Sequence, residues 1–223
     1  MGRSTSASDN RIRSIVARGV IVAVAATGGL LVTSEAGAQL AERSPVPADG
    51  TRAVADDDWL GVVNAYRAMS NLPALVENPT WSSEAMLHSQ YMLVNGITHE
   101  QDPSKPGYTA GGDRAGRSGN VATSSNVNAT ARRFVELWMT GPFHAIGVLR
   151  HDLTTTGFGL ARDANANRWR SGATLDVLRG LNRQLPRRTT PILFPGDGAI
   201  VSVDRFVAEY PDPVQLVGWS GPA

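Results

Sequence analysis

The sequence predicts an α+β fold in which helices cover a central antiparallel sheet. Three observations carry that expectation. Apolar residues recur at spacings of three and four in three segments between residues 58 and 139, which is the signature of helical faces. The period then changes: TTTGFGLAR and SGATLDVLR have the β-branched, alternating content of strands. Between them DANANRW reads as a hairpin loop.

The chain begins with a segment that reads as processing rather than fold. Arg3, Arg11, Arg13 and Arg18 precede the apolar run GVIVAVAATGGLLV at residues 19–32, and small residues follow at Ala36 and Ala38. That order is a secretory signal over residues 1–38. The run is shorter than the ~20 apolar residues a spanning helix needs, so no stable transmembrane segment is expected after cleavage. Export, either secreted or held at the cell envelope, is the expected localisation. Residues 39–57 lack a sustained period and read as a flexible linker.

Folded structure is expected from Asp58. This acidic cap is followed by Trp59, Val62, Val63, Tyr66 and Met69 on one helical face, stopped near Asn71 and Pro73. A second helix starts at Pro79-Thr80, stops at Asn95-Gly96, and carries apolar residues round much of its girth. Residues 101–127, rich in Gly, Ser and Asn, read as a long irregular loop. ATARRFVELWM makes a third helix, broken at Gly141-Pro142 before the short turn PFHAIGVL. The domain closes near residue 182. Residues 183–223 form a C-terminal extension, expected as a β-rich arm with a two-stranded ribbon turning at PGDG.

Composition removes several function classes. The chain of 223 residues has no cysteine, so thiolate chemistry and disulfide staples are excluded. Loss of residues 1–38 removes four arginines with Asp9 and Glu35, leaving 17 basic and 18 acidic side chains. No Lys/Arg block interleaved with aromatics remains, and nucleic acid is not an expected partner. HExxH, GxSxG, GxGxxG and the phosphate-binding P-loop pattern are all missing from the sequence.

The four histidines divide by context. His88 lies inside an apolar helix and reads as a packed core residue, and His151 as a turn residue. His99 in GITHEQD and His144 in MTGPFHAIGVL each stand beside a break in structure, where a scaffold hands a side chain to a cleft.

Residues 59–178 carry motifs in a recognisable order: VNAYRAMSNLPAL, EAMLHSQYM, ITHE, RAGRSGN, VELWMTGPFHAIGVL and GFGLARD. In these blocks the chain resembles the superfamily of cysteine-rich secretory proteins, antigen 5 and plant pathogenesis-related proteins (the CAP or SCP domain), in a bacterial, cysteine-free branch. The resemblance implies an α-β-α sandwich over residues 58–182, with a three-stranded antiparallel sheet and a groove receiving two histidines. It also implies extracellular binding or interaction, with a lipid or another apolar ligand or an extracellular protein as candidate partners. Family members with a complete pocket hold a divalent ion, often zinc, through two histidines and two acids. By motif, His99 and His144 take the histidine positions, while Gly119 and the segment Trp138 to Gly141 stand where the acids belong. Glu100 and Glu136 are the nearby acids in sequence, but Glu136 lies about 140° round the helix from Gly141. Zinc at His99 and His144 therefore lacks half of its usual four-ligand shell. The alternative function is a metal-assisted, protease-like hydrolase using these two residues. Asn120 is expected to hold the loop against the helices, Arg67 to join chain segments, and Arg114 and Arg117 to offer loop recognition.

Overall fold

The computed structural model describes residues 21–22, 54–201, 205–207 and 209–218. The expected signal segment lies outside these residues, apart from the backbone of Ile21–Val22, and so does most of the linker. Among the described residues no helix is long and apolar enough to cross a membrane.

Among the described residues six helices and six strands follow in order. After β1 (Ile21–Val22) come α1 (Trp59–Met69), β2 (Val76–Glu77), α2 (Pro79–Asn95), α3 (Ala110–Arg117) and β3 (Gly119–Ser124). Then come α4 (Ala131–Thr140), α5 (Pro142–Val148), β4 (Thr155–Thr156), β5 (Phe158–Arg162), β6 (Ser171–Asp176) and α6 (Pro213–Leu216). The main sheet has the order β1-β3-β6-β5. β3 and β5 both run antiparallel to β6, pairing Ala122 and Leu160 with Ala173, while β1 lies parallel to β3. β2 and β4 form a separate parallel pair. The result is the expected mixed fold: helices cover a central antiparallel sheet.

The helix starts are set by local chemistry. Asp58 accepts from Gly61 N at 2.9 Å, and Asn78 accepts from Thr80 N and Trp81 N at 3.0 and 3.2 Å. α2 ends at Gly96, whose φ of 91° suits glycine. This helix lies directly on the sheet because Gly159 has no side chain; a Cβ there would run into the α2 backbone at Ala85 and Met86. Ser89 locks the contact, donating to Gly159 O while its hydroxyl meets Thr174 Oγ1. On the opposite sheet face Val62, Tyr66, Phe134, Trp138, Val148, Phe158 and Leu175 share one core. Arg67 sits within it, donating to the carbonyls of Pro73, Val148, Arg150 and Leu153 at 2.7 to 3.2 Å. It thereby binds the end of α1 to the chain leaving α5.

Three expectations need correction. Residues 101–127 are not an irregular loop, since they contain α3 and β3. α3 forms in spite of three glycines because Thr109 caps it at Gly112 N and because Gly112 and Gly116 let it close on Gln101, His88 and His99. The linker also ends earlier than residue 57. Asp56 O accepts from Arg132 N at 2.8 Å and Asp57 Oδ1 from Ala131 N at 3.1 Å, so residues 54–57 are tied to α4. Finally, the arm has no strand among its described residues. Ile192, Phe194, Ala199 and Val201 turn their side chains onto the core, and Pro191 and Pro195 have no N–H to give a ladder. The arm is anchored instead by Gly196 N donating to Met69 O at 3.0 Å.

Candidate functional site

α5 begins at Gly141, which has no side chain with which to cap its own helix. The missing acceptor arrives from the C-terminal arm. Glu209 Oε2 accepts from Phe143 N at 3.0 Å, and Oε1 accepts from His144 N at 2.7 Å. The same Oε1 also meets His144 Nδ1 in a short contact. Both side chains of this pair have no exposed surface. Gly141 makes room for the carboxylate, because a Cβ there would lie 2.6 Å from Glu209 Oε1. A residue 65 positions away thus serves as helix cap and imidazole partner together.

His99 is also buried, and its Nδ1 meets Gly116 O at 2.8 Å at the end of α3. Asn120, at the start of β3, donates to His144 O at 3.1 Å. The short stretch from Gly116 to Asn120 therefore contacts both histidines. Both histidines have further interactions beyond these.

His88 stands under α3 with its Nε2 at 2.8 Å from Thr98 O and its Nδ1 at 3.2 Å from Gln101 Nε2. Burial pushes it down to about 4, so it is a neutral member of the core.

The remaining sequence candidates lie elsewhere. Glu100 is 68% exposed and pairs with Arg117 at 2.8 Å, pointing to the surface instead of the histidines. Arg117 also bonds Asp113, and Arg114 pairs with Glu84. Both arginines of the α3 segment are held by carboxylates. Glu136 faces a separate pocket with Asp56, Arg132 and Arg133, as its helical angle required. Burial raises it to about 7 against the opposing pull of Arg132 and Arg133.

Sequence reasoning missed Glu209. The expectation that the pocket histidines lack a carboxylate is corrected for His144, whose partner comes from the arm. The carboxylate does not restore a metal shell. It stands on the Nδ1 side of His144 with both oxygens already accepting bonds. Among the described residues no three of His, Asp and Glu gather where they could hold a metal ion.

Comparison with known proteins gives three findings. The pattern of the Cysteine-rich secretory protein family matches residues 60–172. The chain is similar to the crystal structure of an extracellular protein containing a SCP domain from Bacillus anthracis, at 20% identity and a TM-score of 0.42. That match covers 54% of this chain and 39% of the Bacillus chain. No curated protein matches.

Proposed function

We propose, from the premise that this chain belongs to the cysteine-rich secretory protein family, that it is an exported binding module whose histidine centre is locked by its own C-terminal arm. In the arm-docked state that centre performs no chemistry. Fold alone does not decide activity within a family, so the reading rests on the site.

The observation that carries it is the Glu209 carboxylate, fully buried against His144 and the first N–H groups of α5. A general base must come within about 3 Å of a substrate proton. His144, with no exposed surface, is enclosed away from such a proton. His99 is enclosed likewise and tied to Gly116 O. The basic-then-apolar order of residues 3–32 supports export.

The competing reading is a zinc-assisted hydrolase at His99 and His144, and a carboxylate on Nδ1 is the arrangement that orients an imidazole for that work. Titration calorimetry with zinc chloride separates the two. The locked-centre reading expects the full chain and its His99→Ala/His144→Ala variant to give the same weak heats. A saturable one-to-one heat in the natural chain, lost in the double variant, overturns it.

A further inference from the structure

We propose that the polar pocket between the start of α4 and the 124–130 turn binds a small zwitterion of the α-amino acid class, with Glu136 receiving the ammonium group and Arg133 the carboxylate. The proposal stands independently of the histidine centre.

The pocket measures about 330 Å³. That is the low end of the ~300–1,000 Å³ range of ligand pockets, suited to one small molecule. Among the described residues Ala129 is the one apolar residue that lines it. Several of its acceptor atoms already bond neighbours. Ser124 Oγ accepts from Asn126 N, Asn126 Oδ1 from Asn128 N, and Thr130 Oγ1 from Arg133 N, at 2.9 to 3.3 Å. Arg132 is committed to Asp56 Oδ1 at 2.7 Å and to Val54 O.

Two charged groups lack a hydrogen-bonded partner. Glu136 Oε1 is buried without a hydrogen-bond donor, and its ion pair with Arg132 Nη1 is a loose one at 3.8 Å. The Arg133 guanidinium is exposed, and neither a hydrogen bond nor an ion pair engages it among the described residues. The two residues lie three apart on α4, so they share one face with Cβ atoms about 5–6 Å apart.

A ligand matching this pair needs an N–H donor cation and an acceptor anion a few ångströms apart. A simple anion meets Glu136 and Asp56 in the same walls, and a simple cation meets Arg132 and Arg133. A neutral sugar balances neither charge. The raised Glu136 carboxyl supports the assignment, because an ammonium partner favours its ionised form.

The test is an NMR titration of the ¹⁵N-labelled full chain with L-alanine, L-lysine and L-glutamate, against acetate, methylammonium and D-glucose. At least one amino acid should give saturable shifts at the amides of Asn126, Asn128 and Arg133, binding at least about tenfold more tightly than any control. Glu136→Gln and Arg133→Gln should each weaken that binding about tenfold while the folded spectrum persists elsewhere. The proposal is overturned if no amino acid saturates the shifts in the tens of millimolar range, or if a control binds as tightly. Unchanged binding in a folded Glu136→Gln protein overturns it equally.

Discussion

Replacing Glu209 by alanine removes one carboxylate but strands three donors, two of them buried: the N–H and Nδ1–H of His144, with the half-buried N–H of Phe143. Each unsatisfied buried donor costs about 1–3 kcal/mol. Part of that loss is offset, because the variant no longer desolvates a carboxylate, at several kcal/mol per ion. Removing one partner of a buried pair therefore nets about 3–5 kcal/mol. The loss of the Glu209 cap of α5 lies within that figure. For a domain of this size each kcal/mol moves the midpoint by about 2–4 °C, so a fall of about 6–20 °C is expected. Thermal unfolding at pH 7, followed by circular dichroism, measures it. Glu209→Gln should fall in between, since its amide retains one acceptor and turns a second donor toward a donor. A Glu209→Ala midpoint within about 2 °C of the natural chain would refute the reasoning, because a carboxylate that caps and pairs at once cannot be removed at so little cost.

Gly141→Ala places a Cβ 2.6 Å from Glu209 Oε1 and should cost about 1–3 kcal/mol in urea unfolding. In the Glu209→Ala background the same change should cost almost nothing, and a double-mutant cycle reads that coupling. The pH dependence of stability should conceal two opposed titrations. Burial raises Glu136 to about 7, so the folded chain holds a proton there that the unfolded chain has lost, and this contribution fades as pH rises through 7. Burial lowers His88 to about 4, so between pH 6.5 and 4 the unfolded chain gains a proton that the folded chain refuses, and stability falls on acidification. In Glu136→Gln only the second effect remains. Urea unfolding of that variant should show greater stability than the natural chain at pH 8, and an extra loss of about 1.4 kcal/mol per pH unit on acidification below 6.5.

The sequence made visible those parts of the fold that depend on local chemistry. Caps at Asp58 and Asn78, glycine at the end of α2 and the β5–β6 hairpin are all written within a few residues of where they act. β3 was hidden because nearly all of it is buried, so GNVATS lacks the alternation of a half-exposed strand. α3 was hidden by glycines whose purpose is close packing on His88 and His99 and has no helical signature. In the site, the placement of His99 and His144 beside breaks was legible, but the His144–Glu209 pair was not. Glu209 lies in VAEYPDP, which has no period to tie it to α5. The signal that pointed to it was Gly141, a helix start with neither a capping side chain nor the acid that the resemblance places near it.

The claim at the centre of this account is that Glu209 fixes His144 in a closed pocket. Imidazole ¹H–¹⁵N NMR of the full chain at pH 7 tests it most directly. His144 should carry its proton on Nδ1, with a downfield signal slow to exchange with water and lost in Glu209→Ala. A rapidly exchanging His144 ring, or one whose signal is the same with and without the Glu209 carboxylate, would contradict it.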